Sequence, residues 1–219
     1  MTKLTKSAEK LHELVPPNWY YKSIHSDRNF IRRYVHLRRF EEVGKLIEPA
    51  GGKILDIGSA DGMFTSKILE KSHAKKIIGI DVLKSSVAWA NNHWKDNKKM
   101  EFRVADAHKL PFKNKEFDAV FALEVLEHVY EPITVLQEIK RVLKDNGYMI
   151  FLVPAENLLF KIIWYFWTKY TASRIWKETH IHAYSENFLV KLAKVLGFHI
   201  VTDRKIIFGT LHLIKVRKT

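Results

Sequence analysis

The sequence predicts an α/β fold, a mostly parallel sheet with helices on both of its faces. Three observations carry that reading. Short apolar runs recur from residue 53 onward, and most of them do not alternate polar with apolar. Segments of helical period lie between them, and glycine turns follow strand ends. Strands that are apolar throughout are buried on both faces, which requires helices above and below a parallel sheet.

The first 50 residues read as a helical, amphipathic cover, broken at Pro16-Pro17. Phe30, Ile31, Tyr34, Val35, Leu37 and Phe40 recur at helical spacing, with Arg32, Arg33, Arg38 and Arg39 between them. Pro49-Ala50-Gly51-Gly52 stops that helix. Strands are then expected at 53–57, 77–81, 101–104 and 117–122, and helices at 63–70 and 85–94. A helix over 133–143, with Val135, Ile139 and Val142 on one face, is expected to be closed by Asn146-Gly147. A fifth strand follows at 148–153, and a last helix at 185–196 with Leu189, Leu192 and Val195 inward.

A chain of 219 residues with 47% hydrophobic and 28% charged residues suits a single domain spanning 1–219. The absence of cysteine excludes disulfides, thiolate metal sites and cysteine nucleophiles. The first residues are polar, and no apolar run reaches the roughly 18 residues of a membrane span, so a cytoplasmic location is expected. Net charge is +13, yet residues 51–154 hold 16 basic and 14 acidic side chains. The excess therefore lies at the periphery, as a solvated surface or as a face for an anionic partner.

The strongest chemical signal is Ile54-Leu55-Asp56-Ile57-Gly58-Ser59-Ala60-Asp61-Gly62. Glycine at 58 and 62 lets the chain turn sharply and lets a ligand approach the backbone. A helix starts there, so its free N–H groups are expected to point into the loop. Asp81 ends the second strand 19 positions after Gly62, an offset at which an acid grips a ribose in nucleotide-binding βαβ units. A third acid, Asp106, follows the third strand, where it can accept from an exocyclic amino group such as that of adenine. A lone strand-end acid is ordinarily a cap, but here three successive strands end in one.

With these residues the chain resembles the class I methyltransferases, the seven-stranded, doubly wound Rossmann-like family that uses S-adenosylmethionine. Residues 56–62 resemble its acid-x-Gly-x-Gly-x-Gly loop, Asp81 its ribose-binding acid and Asp106 its adenine-binding acid. Residues 117–129 are similar to the fourth-strand motif of its small-molecule branch, which includes the quinone-biosynthesis enzymes. Asp145-Asn146-Gly147-Tyr148 and Gly197-Phe198 fit the same branch, and 200–202 and 206–216 look like its last two strands. The resemblance covers residues 45–154 strongly and 180–219 loosely. It implies S-adenosylmethionine as cofactor, held by Asp56, Gly58, Ser59, Ala60, Gly62, Asp81, Val82, Asp106, Ala107 and Leu123. Ala60 departs from the family, which has its central glycine there. A dinucleotide pattern counted from Gly58 fails at Met63.

Methyl transfer needs in-line positioning, and a base only when the acceptor must lose a proton. His128 and His180 are the candidates for that role, with His182 and Glu127 behind them. No metal-ligand spacing stands out, since the pair His180 and His182 has no obvious third ligand. Residues 155–182 form a lid-like aromatic insertion, whose stretch 158–167 is apolar on nearly every side. It reads as a buried helix, as a lid over an apolar acceptor, or as a peripheral membrane contact. The acceptor is therefore expected to be small, apolar or lipid-linked. The rival readings are an RNA or protein methyltransferase using the basic periphery, and a cofactor-binding protein without catalysis. Against nucleic acid, the Asn/Asp-Pro-Pro-aromatic motif of base N-methylation is replaced after strand four by Leu123-Glu124-Val125-Leu126.

Overall fold

The structure, a computed structural model, describes residues 15–26, 29–155, 160, 165, 169 and 187–219. Its strands are β1 (Lys53–Ile57), β2 (Lys76–Asp81), β3 (Met100–Val104), β4 (Phe117–Leu123), β5 (Leu143–Pro154), β6 (Phe198–Ile206) and β7 (Leu211–Lys218). The helices are α1 (Trp19–His25), α2 (Phe30–Gly44), α3 (Met63–Ser72), α4 (Lys84–His93), α5 (Pro132–Val142) and α6 (Phe188–Val195). All seven strands join one sheet in the order β3-β2-β1-β4-β5-β7-β6. The first five are parallel, and β7 runs antiparallel to both β5 and β6.

Side chains alternate across a strand, so each apolar strand feeds two cores. Leu55, Ile57, Ile78 and Val120 meet α5 and α6 on one face. Ile54, Ile77, Ala119 and Phe121 meet α3, α4 and Val43 of α2 on the other. The chain winds outward from β1 to β3, then returns to β4 on the other side of β1. Ligand crevices form at the carboxyl ends of the strands flanking such a reversal.

Several elements differ from the sequence expectation. The helix over 133–143 ends at Val142, because Leu143 is already extended (φ −68°, ψ 137°), fully buried and paired with Phe117. Asn146-Gly147 therefore does not close the helix. It lies inside β5, where Asn146 has φ 62° beside a register shift in the β4–β5 pairing. In α6 the buried residues are Leu189, Val190 and Ala193, whereas Val195 is 82% exposed. The stretch 206–216 is not one strand, for left-handed Ile207 and Phe208 followed by Gly209 turn β6 into β7.

The largest departure is in α2. Its stripe of Phe30, Ile31, Tyr34 and Leu37 faces outward, and His36, Arg39, Glu42 and Val43 are buried instead. The polar side can turn inward because its groups find partners there, as buried polar groups must. Arg39 pairs with Glu124 and with His36, and Glu42 pairs with Arg204. Of the insertion 155–182, only Ala155, Phe160, Tyr165 and Lys169 are described, so His180, His182 and most of 158–167 lie outside the described residues.

Candidate functional site

The loop between β1 and α3 is shaped by three left-handed residues, Gly58 (φ 70°), Ala60 (φ 45°) and Gly62 (φ 77°). A Cβ at Gly58 would stand 2.4 Å from Val125 Cγ2, and one at Gly62 would stand 2.4 Å from Phe102 Cζ. Glycine is required at both by space as well as by φ. Several of the N–H groups expected to be free are taken. Gly58 and Ser59 donate to the Ile80 carbonyl, Ala60 donates to Asp81 Oδ2, and Met63 donates to Asp61 Oδ1. The helix start is thus capped by an internal carboxylate, which removes the usual reason to place a phosphate there.

The acids differ in environment. Asp56 is buried at the end of β1, where it accepts the Thr65 hydroxyl at 2.6 Å. Burial raises its pKa to about 7, the Thr65 bond works against that rise, and the neighbouring Asp81 adds to it. Asp61 is pushed up to about 6 by burial, against the N–H groups of Tyr21 and Met63. Asp81 braces the loop, since its Oδ2 holds Ala60 and its Oδ1 accepts Leu83 N at 2.9 Å. Asp106 is exposed and accepts from both the backbone N–H and the Nδ1–H of His108. His108 Nε2 accepts from Glu131 N, and its ring stacks on Tyr130. With the proton on Nδ1 both ring nitrogens are satisfied, which pins the ring in place.

A cavity of about 420 Å³ opens at the carboxyl ends of β1, β2, β3 and β4, within the range of small-molecule sites. Of the expected site residues, Asp56, Gly58, Ser59, Ala60, Asp81, Val82, Asp106, Ala107, Leu123 and His128 line it, whereas Gly62 does not. Gly62 instead lets Trp94 and Phe102 pack behind the loop. Glu127 lies outside the lining, where burial and the charge of Glu124 push its carboxyl pKa well above the usual range.

Sequence reasoning missed Trp19, Tyr20, Phe64, His108, Glu124 and Tyr130, which line the cavity as well. The one available signal was the aromatic run Trp19-Tyr20-Tyr21 after Pro16-Pro17. Tyr21 N donates to Asp61 Oδ2 at 2.7 Å, which ties α1 to the glycine loop. Glu124 is left-handed (φ 58°), with its backbone held by the Leu152 carbonyl and its carboxylate by Arg39.

Five acids, Asp56, Asp61, Asp81, Asp106 and Glu124, line the cavity together with apolar and aromatic walls. The chain has 37 lysines and arginines, and no described one lines it. Such a site repels phosphates and attracts a ligand with positive charge.

A sequence family described as "Methyltransferase domain" matches residues 55–151. The ubiquinone biosynthesis O-methyltransferase of Pelagibacter ubique is 29% identical over 160 residues, covering 71% of this chain and 64% of that protein. The ubiquinone/menaquinone biosynthesis C-methyltransferase of Desulfotalea psychrophila is 27% identical, covering 80% of this chain and 76% of that protein. Among solved structures, a geranyl diphosphate methyltransferase with sinefungin superposes with a TM-score of 0.76 over the full length of both chains, at 12% identity. Residues 55–151 thus match a methyltransferase domain, and the chain is similar to the class I S-adenosylmethionine-dependent methyltransferases. The cavity fits that family's cofactor, whose sulfonium and ammonium groups suit a lining that holds Asp61, Asp81 and Asp106 and, among the described residues, no lysine or arginine. It also accounts for the internal cap at α3, because S-adenosylmethionine brings no phosphate to the loop.

Proposed function

We propose that this methyltransferase acts on a small, apolar acceptor of the phenol or quinol class. One observation carries the proposal. The cavity joins an acidic floor, with no lysine or arginine among the described lining residues, to apolar walls from Pro16, Pro17, Trp19, Phe64, Val125 and Val129. The floor suits the cofactor and the walls suit a flat apolar ring. Two relatives whose names place them in ubiquinone biosynthesis support that acceptor class.

S-adenosylmethionine, when bound, supplies a methyl group already activated on sulfur. The protein's part is to bind and orient. Asp81 accepts from the ribose hydroxyls with lone pairs left over from its bonds to Ala60 and Leu83. Asp106 accepts from the adenine amino group, and Val82, Ala107 and Leu123 bound the adenosine. Gly58, Ser59 and Ala60 shape the loop against the cofactor, and Asp61, with a pKa of about 6, holds negative charge beneath it at neutral pH. Trp19, Tyr20 and Phe64 exclude water from the transfer path. His128, at the cavity wall after the turn Leu126–His128, takes the proton of an acceptor hydroxyl.

The test is transfer of labelled methyl to a panel of demethylated quinols and phenols, with tRNA and a protein mixture alongside. Turnover on the phenols that falls in kcat with His128→Gln is expected. Turnover on tRNA or protein alone would overturn the acceptor assignment.

A further inference from the structure

Helix α2 presents its apolar side to solvent. Phe30 is 78% exposed, Ile31 60%, Tyr34 54% and Leu37 45%. Their spacing of i, i+1, i+4 and i+7 places them on one side of the helix. The helix is not free to roll that side inward, because its other side is bolted to the sheet. Arg39 pairs with Glu124, Arg204 reaches Glu42 at 3.0 Å, and Val43 is buried in the core.

The charge on the first two turns has one sign. From Asn29 to Leu37 the chain carries Arg32 and Arg33 and no acid, and beyond them Arg38 and Glu41 pair with each other. Arg33 is exposed beside the stripe, Arg32 lies 5.0 Å over the Trp19 ring, and Lys22 is exposed on the adjoining α1. We propose that the first two turns of α2 dock on an anionic lipid surface, with Phe30, Ile31, Tyr34 and Leu37 entering the headgroup boundary and the arginines meeting phosphates.

A helix with aromatic and aliphatic side chains on one side and cations around them lies in the plane of such an interface. The contact is peripheral, as no described helix is long and apolar enough to cross a membrane. A second copy of the chain is a poor alternative occupant, because it brings the same net charge of +13 to the same face. Docking there sets α1, whose Trp19 and Tyr20 line the cavity, close to the lipid surface. Delivery of an apolar acceptor by that route rests on the proposed function, whereas the docking itself does not.

The experiment is flotation of the full chain with vesicles of phosphatidylcholine alone or with phosphatidylglycerol added. Wild type is expected to float only with the anionic vesicles, and less as salt rises. Phe30→Asp/Leu37→Asp should lower partitioning about tenfold or more. Val195→Asp, on α6 against the opposite face of the sheet, should leave it unchanged. Circular dichroism and calorimetric binding of S-adenosylmethionine show that each variant is folded, independently of any acceptor. Wild type that fails to float, or a double variant that floats equally well, would overturn the proposal. So would a wild-type dimer in sedimentation that the double variant abolishes, since the occupant would then be a second copy.

Discussion

Replacing Asp56 by asparagine removes a carboxyl that the fold holds at a pKa of about 7 against an ordinary 3.8. Burial is the main cause, and the Thr65 hydroxyl at 2.6 Å offsets part of it. Because the folded pKa lies above the unfolded one, the folded state keeps a proton that the unfolded state has released. The resulting cost is absent below about pH 4, grows between about pH 4 and 7, and is complete above that. A gap of about three units at about 1.4 kcal/mol each amounts to about 4 kcal/mol, of which about 2 is already present at pH 5. Asparagine is neutral throughout and keeps a carbonyl for Thr65. Asp56→Asn should therefore gain about 2–3 kcal/mol over wild type between about pH 5 and pH 8. Urea unfolding at a series of pH values reads this directly, with the m-value unchanged. Other raised acids, such as Asp61, cancel in the difference. If the two stabilities run parallel with pH, Asp56 is not the buried, protonated group described here.

Gly62→Ala should cost about 2–4 kcal/mol and lower Tm, because the added methyl meets Phe102 at 2.4 Å and Trp94 at 2.7 Å in a left-handed conformation. Ala60→Gly has a different outcome. It relieves a left-handed alanine worth about 1 kcal/mol, and the looser unfolded chain returns much of that. Tm should move little, while calorimetry shows a lower Kd for S-adenosylmethionine as the methyl leaves the cavity wall. Arg39→Met should cost about 3 kcal/mol by stranding Glu124, and adding Glu124→Gln should recover a good part of it. A strictly additive double mutant in urea unfolding would deny that coupling.

Strands β1, β2, β4 and β5 were legible because they are buried on both faces, and continuous apolar runs have no other comfortable home. The glycine loop and the acids at 56, 81 and 106 were legible because φ and carboxylate chemistry restrict those positions by residue type. The orientation of α2 was not. Amphipathic spacing predicts which residues share a side, but here Arg39, His36 and Glu42 found partners on Glu124, Arg39 and Arg204, so the polar side went inward. Those partners lie on elements far away in the chain, beyond the reach of any local pattern. The role of the loop's N–H groups was misread for a similar reason. The Ile80 carbonyl and the Asp61 and Asp81 carboxylates claim them, which becomes visible only when β2 is laid beside β1. Trp19, Tyr20 and Tyr130 entered the cavity through tertiary packing that no spacing encodes.

The most direct test is titration calorimetry of S-adenosylmethionine into wild type and Asp81→Asn. Asparagine keeps the side chain's size while removing the charge that holds the loop and that, in the proposed binding mode, faces the ribose hydroxyls. Binding to wild type that weakens about tenfold or more in the variant is the expected result. No binding to wild type, or equal binding to both, would contradict an acid-lined cofactor site at the ends of β1 and β2.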